Sequence, residues 1–228
     1  MKYSNLTTGS KVYFKRFTHT SRHIKCSNIV SSHKYKNFLD FGSGDGKFFE
    51  YLKINPKKKY FAYEPYKIMH KEFLKNNNKF KNLKLIKNKK NLKKSFYDIV
   101  TINEVFEHLP NKKILEVIKI LKYVTKKNSI IIISVPIEVG FSSFVKNLIR
   151  FIFRCTHDGT TFNNLLRSIF LRKINRGNKS FIASHIGFNY NDLKKVLDNH
   201  FSIKKIVYSP FGFLKSILNS QIFFICKL

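Results

Sequence analysis

The sequence has no tryptophan, only two alanines (Ala62 and Ala183), and 13 acidic residues against 44 Lys and Arg in 228. Its three cysteines, Cys26, Cys155 and Cys226, are odd in number, far apart and without a CxxC spacing. That excludes a disulfide framework and a cysteine zinc site, and it suits a reducing compartment. No stretch approaches the ~20 apolar residues that cross a bilayer. The opening Met1-Lys2-Tyr3-Ser4-Asn5 carries no apolar run, so no signal peptide is expected. Together these absences point to a cytoplasmic protein, soluble or peripherally attached to a membrane.

The shortage of acids leaves a net charge of +31. A field of that size attracts polyanions, whether nucleic acid or anionic membrane, whatever the fold. A second origin competes: Lys far outnumbers Arg, and Asn, Ile, Phe and Tyr abound, the usage that AT-rich codons favour. On that reading the lysines are a solvated surface. The apolar share of 43% is ordinary. The length suits a single domain, 1–228, with a sheet covered by helices on both faces.

The most informative stretch is Asn37-Phe38-Leu39-Asp40-Phe41-Gly42-Ser43-Gly44-Asp45-Gly46-Lys47-Phe48-Phe49-Glu50. An apolar run ends in a carboxylate, three glycines follow at alternate positions, and a helix-like pattern begins. This reads as a buried strand ending near Asp40, then a tight turn into a helix. Glycines there permit positive φ and let a ligand reach the backbone without meeting a Cβ. A dinucleotide fingerprint wants its third glycine where this chain has Lys47, and a P-loop wants Gly-Lys-Ser/Thr at its end. Neither fits. A tight strand-to-helix turn with no ligand is the bland alternative.

This turn resembles motif I of the class I S-adenosylmethionine-dependent methyltransferases, in which the glycine loop passes under the methionine part of the cofactor. The resemblance implies a cofactor site at Asp40, Gly42, Ser43, Gly44 and Gly46.

Residues 1–35 form a polar, basic N-terminal extension with a short helix expected around Arg22 to Val30. Phe48, Phe49 and Leu52 predict a short amphipathic helix stopped at Asn55-Pro56. Strands are predicted at Tyr60–Tyr63, Leu83–Ile86, Asp98–Ile102 and Ser129–Val135. Helices are predicted around Ile68–Leu74, from Ile114 to about Lys126, and from Asn189 to Asn199. The unbroken β-branched run at Ser129–Val135 suits a central strand buried on both faces. Two closing strands, Phe201–Ser209 and Gln221–Lys227, have no helix between them and suggest an antiparallel hairpin. The alternation predicts an α/β doubly wound, mostly parallel sheet. Five βα units, a helix and a terminal hairpin also resemble the seven-stranded, Rossmann-like class I methyltransferase fold, with 137–184 as a helical insertion or lid.

Glu64 closes the second strand, where an acid accepts the ribose hydroxyls of a nucleotide lying across the carboxyl ends of the strands. Methyltransferases of this class use that position for the S-adenosylmethionine ribose. By the same resemblance Asn88, followed by Leu92, stands where the adenine amino group is bonded, and Asn103 closes the fourth strand at the cofactor.

The stretch Asn103-Glu104-Val105-Phe106-Glu107-His108-Leu109-Pro110 resembles its counterpart in small-molecule O-methyltransferases, the ubiquinone-biosynthesis enzymes among them. The Asn/Asp-Pro-Pro-Tyr/Phe sequence of base and glutamine N-methylating enzymes is absent. His108 is the candidate general base, with Glu107 beside it. Glu104, Glu107 and His108, with His185 beyond the insertion, also resemble a ligand set that holds magnesium in plant small-RNA 2′-O-methyltransferases. The alternative there is that Glu107 and His108 order the loop without a metal.

The expected function is methyl transfer from S-adenosylmethionine to an oxygen of a small molecule, a saccharide or lipid-linked precursor. RNA ribose O-methylation, motivated by the charge, and a non-catalytic binding subunit are the rivals. Within the insertion, 141–154 combines Phe141, Phe144, Leu148, Ile149 and Ile152 with Lys146, Arg150 and Arg154. That pattern predicts a basic interfacial helix against anionic membrane, the alternative being a face that packs on the domain.

Overall fold

The computed structural model describes residues 13–138, 188–216 and 219–228. The expected membrane-facing helix at 141–154, nearly all of the expected insertion, and His185 lie outside the described residues.

The first helix, α1 (Tyr13–Ser31), is 19 residues long, more than the short helix expected from Arg22 to Val30. Its inner stripe is His23, Cys26, Ser27 and Val30, at i, i+3, i+4 and i+7, all buried. The stripe is hard to see in the sequence because His and Ser occupy two of its four positions. Ser27 Oγ donates to the Tyr51 carbonyl at 2.8 Å, and the His23 ring stacks on Tyr51 with centroids 5.1 Å apart and planes 17° apart.

Strands β1 (Asn37–Phe41), β2 (Lys59–Tyr63), β3 (Leu83–Ile86) and β4 (Tyr97–Asn103) follow the expected positions within a residue or so. β1 pairs in parallel with both β2 and β4, and β2 with β3. Strand β5 (Thr125–Pro136) is buried continuously from Ser129 onward, as its β-branched run predicts. β6 (Ser202–Ser209) and β7 (Gln221–Lys227) complete a seven-stranded sheet in the order β3-β2-β1-β4-β5-β7-β6. The sheet is mostly parallel with antiparallel C-terminal strands.

Helices α2 (Lys67–Asn77), α3 (Asn111–Val124) and α4 (Tyr190–Asp198) alternate with the strands. The helix expected after the glycine turn is only a single 3-10 turn, Lys47–Glu50. Eight residues, 47–54, separate Gly46 from the Asn55-Pro56 stop, too few for several α-turns once Phe48 and Phe49 are both turned inward. Those two rings, with Phe38, Tyr60 and Phe73, form an aromatic cluster with centroid separations of 5.9 to 6.3 Å.

The chain divides into two compact units that interleave along the sequence. One comprises Met1–Asn103, Ile120–Ile133 and Cys226–Leu228, and the other Glu104–Lys119 and Ser134–Ile225. The candidate cofactor residues belong to the first, and Glu104, Glu107 and His108 to the second.

Candidate functional site

In the first unit, the parallel register sets Asp40 of β1 beside Thr101 of β4. Thr101 Oγ1 donates to Asp40 Oδ1 at 2.7 Å, and Asn103 Nδ2 donates to the same oxygen at 3.3 Å. Asp40 is 2% exposed. Burial pushes its carboxyl up to about 7, and the Thr101 and Asn103 hydrogen bonds pull the other way. From helix α1, Cys26 lies within hydrogen-bonding reach of Asn103, and the Arg22 charge acts on Asp40.

The glycine turn leaves β1 with three positive φ angles, 78° at Gly42, 55° at Gly44 and 73° at Gly46. The Gly42 and Ser43 N–H groups both donate to the Tyr63 carbonyl, at 2.8 and 3.1 Å, which ties the turn to the end of β2. The glycines at 44 and 46 serve different ends. A Cβ at Gly44 would meet nothing within 4 Å, so the backbone there faces open space. A Cβ at Gly46 would collide with Asn77 Nδ2 and approach the Phe73 ring to 2.6 Å, so that glycine is required by packing against α2.

Glu64, at the end of β2, is 4% exposed. Its Oε2 accepts from the Gly44 N–H and its Oε1 from the Tyr66 N–H, each at 2.8 Å. Burial raises its carboxyl, opposed by these two bonds and by the neighbouring His70. A carboxylate has about four acceptor sites, so each oxygen retains one for a ligand hydroxyl. Ser43 Oγ is buried with no hydrogen-bond partner among the described residues. Asp45, unremarked by sequence reasoning, is also buried: its Oδ1 accepts from the Lys47 N–H at 3.1 Å, while Oδ2 has no partner among the described residues. Asn88 sits past β3 on an exposed 3-10 turn, where its Oδ1 accepts from the Lys90 N–H at 3.0 Å and caps that turn.

In the second unit, Glu104 adopts a positive φ of 56°, uncommon for a residue with a side chain, and its N–H donates to the Ser134 carbonyl at 3.1 Å. The chain then makes a 3-10 turn over Phe106–His108. The helix expected from Ile114 begins at Asn111, just past Pro110, which disfavours α conformation at the residue before it. Glu107 is fully buried, and His108 Nε2 lies 4.0 Å from its Oε1, with the imidazole about one fifth exposed. Among the described residues no three His, Cys, Asp or Glu side chains converge as a metal site.

The sheet order, the glycine turn after β1 and the acid closing β2 define the Rossmann-like class I methyltransferase architecture. The chain belongs to the family described as "Methyltransferase domain", whose model matches residues 23–168, and it is an S-adenosylmethionine-dependent methyltransferase. Its fold is similar to that of the PH0226 protein from Pyrococcus horikoshii OT3 (11% identity, 100% of this chain and 99% of that one, TM-score 0.64). It is similar to the methyltransferase domain of bacterial CtHen1-CN (14% identity, 92% and 98% covered, TM-score 0.63). A third likeness is to a SAM-dependent methyltransferase from Aquifex aeolicus (16% identity, 93% and 95% covered, TM-score 0.57). No curated protein matches the chain. At these identities the likeness defines the fold and leaves the acceptor to chemistry.

Family membership implies S-adenosylmethionine as methyl donor, and the loop fits it. Gly44 presents backbone to open space, Ser43 offers a buried hydroxyl, and Glu64 keeps acceptor capacity beside both. The residues sequence reasoning missed are Arg22, Cys26, Asp45 and Thr101. Thr101 had a signal: it is the one polar residue in the run Ile99-Val100-Thr101-Ile102, and the register sets it directly opposite the buried Asp40.

Proposed function

We propose that the protein transfers a methyl group from S-adenosylmethionine to a hydroxyl oxygen of a small molecule. The observation that carries the cofactor half is the Glu64 carboxylate locked beside Gly44, with acceptor capacity to spare for a ribose. When bound, the cofactor supplies an electrophilic methyl on a sulfonium, open to in-line displacement. Glu64 would accept from the ribose hydroxyls, Ser43 and the Gly44 backbone would line the methionine end, and Asn88 would meet the adenine amino group. Asp40 and Asn103, hydrogen-bonded to each other, would complete the cofactor site.

An oxygen acceptor needs a base as the oxygen–methyl bond forms, because the hydroxyl proton must leave. His108 is that base in our reading. Glu107, buried 4.0 Å from it, orients the ring and stabilises the imidazolium. A neutral amine is nucleophilic enough to attack before it sheds a proton and has less need of such a base. The enzyme otherwise acts by alignment.

Transfer from S-adenosylmethionine labelled with carbon-13 in its methyl group, offered small-molecule extract and bulk RNA in parallel, tests the reading. A product signal in the methoxy region from the extract is expected. An N-methyl signal overturns the oxygen assignment, label in RNA alone moves the acceptor to a ribose, and failure to bind the cofactor leaves a non-catalytic binding protein.

A further inference from the structure

Charge is unevenly distributed over the first unit. Between Lys67 and Lys94 the chain carries eleven lysines and one acid, Glu72, and all eleven lysines are exposed. None of them pairs with an acid among the described residues. Elsewhere exposed lysines do find partners: Lys113 with Glu116 at 2.8 Å and Lys194 with Asp198 at 2.6 Å. Codon bias alone would spread lysine evenly, about four or five in 28 residues of a chain with 37 in 228, and this stretch holds eleven.

The region also has shape. Lys67, Lys71 and Lys75 stand at i, i+4 and i+8 on α2, one face with about 6 Å between successive positions. Lys84 lies on β3, the edge strand, and Lys87, Lys89, Lys90, Lys93 and Lys94 follow on the turn beyond it. Between the end of α2 and β3 is a cavity of about 170 Å³ lined by Phe73, Leu74, Asn77, Asn78, Phe80, Leu83 and Leu85. At about 30 Å³ per water that is room for a planar heterocycle. Lys75, Lys79, Lys81 and Lys84 flank the lining residues in sequence.

We propose that the groove between α2 and β3 binds single-stranded nucleic acid, with one base in the cavity and the phosphates on the surrounding lysines. Phe80 lines the cavity with the Lys79 Nζ 5.1 Å from its ring centroid, an aromatic face beside a cation that suits a stacked base and its phosphate. The lining is as polar as it is apolar, which suits a base better than a lipid acyl chain. Cationic tracks with apolar platforms are the general means of holding single strands. This inference goes beyond the methyl-transfer reading and is tested by binding alone.

The test uses the full chain and fluorescent 12-mers of RNA and DNA, with an abasic strand of the same length and anionic phosphatidylserine vesicles as further arms. Lys75→Glu, Lys79→Glu and Lys84→Glu together are compared with Lys112→Glu, Lys119→Glu and Lys127→Glu, exposed lysines that change net charge by the same amount. We expect the first triple to weaken strand binding at least ~10-fold, and to lower the salt slope by about 2, three contacts at about 0.7 each. The second triple should change affinity less than ~3-fold. Equal losses in both triples would reduce the groove to its share of a diffuse field and overturn the proposal. An abasic strand bound as tightly as RNA or DNA would overturn the base slot, and vesicle binding without strand binding would overturn nucleic acid as the occupant. RNA bound more tightly than DNA, or the reverse, supports the site and identifies which strand it takes. Circular dichroism and cofactor affinity matching wild type in both triples exclude misfolding.

Discussion

Glu64 Oε2 and the Gly44 N–H are 2.8 Å apart, so the acid expected to hold the ribose also clamps the glycine turn. The consequence is a double penalty. Glu64→Ala removes an acceptor for the cofactor and leaves the Gly44 and Tyr66 N–H groups without their carboxylate. Cofactor affinity should fall by about 1.5–3 kcal/mol, the range for hydrogen bonds to a charged group. Glu64→Gln retains one acceptor oxygen but sets an NH2 against the other backbone N–H, so it should lose nearly as much. Isothermal titration with S-adenosylmethionine measures both, and an unchanged dissociation constant in Glu64→Ala would place the ribose elsewhere.

The two later glycines of the turn separate binding from folding. Gly44→Val should lose the cofactor with the smaller loss of stability, since its branches enter only open space and the strain of a side chain at a φ of 55° is its one structural cost. Gly46→Ala should lose stability first, because its Cβ meets Asn77 and Phe73, and at a φ of 73° an L side chain is strained as well. Melting temperature and cofactor affinity, taken together, distinguish the pair. Gly44→Val binding like wild type would refute the loop as the cofactor's resting place.

Most strands were legible because their apolar runs are short, β-branched or aromatic, and bounded by Pro, Asn or Gly. Leu83–Ile86 and Gln221–Lys227 match their expected limits. Asp40 in β1 and Glu64 after β2 could be located from the sequence because each acid closes a short apolar run. Less legible was α1, whose buried face includes Arg22, His23 and Ser27, residues a hydropathy pattern reads as surface. Thr101 and Asp45 escaped for a related reason. Their roles depend on a neighbour brought close by sheet register or by a turn, and neither has a spacing of its own in the sequence. The helix after the glycine turn was over-read because Phe48, Phe49 and Leu52 satisfy helical spacing in a segment too short to wind.

Asp40 should make the protein less stable as pH rises through the slightly acidic range. Its carboxyl goes from 3.8 to about 7 on folding, chiefly by burial. Between those values the folded state binds more protons than the unfolded one, so stability is fullest below the lower value and falls until the upper is passed. The loss is at most about 4 kcal/mol at 1.36 kcal/mol per pH unit. Asp40→Asn keeps an acceptor for Thr101 and Asn103 and removes this titration. Urea melts at pH 4.5, 6 and 7.5 should therefore show a shallower decline in the variant. Some slope will remain, because burial raises Asp45 and Glu64 in the same direction. Parallel declines in both proteins would mean that Asp40 folds already ionised.

The last prediction concerns Glu107 and His108. If the imidazole removes the acceptor proton, His108→Asn should lower kcat by about 10²–10⁴ while cofactor affinity stays within a factor of two. Glu107 acts on the reaction only through its neighbour, so Glu107→Gln, which keeps shape and burial, should have a different signature. Loss of the carboxylate 4.0 Å away should reduce kcat, with KM for the acceptor and melting temperature nearly unchanged. A purely structural Glu107 would instead lower stability and leave kcat in place. A magnesium ion on Glu104, Glu107, His108 and His185 makes a third pattern: activity lost to EDTA, restored by added divalent ion, and abolished by Glu104→Ala. We expect transfer to survive both EDTA and Glu104→Ala, since among the described residues Glu104, Glu107 and His108 do not converge on a common metal position. Loss under either treatment would reassign His108 from base to ligand.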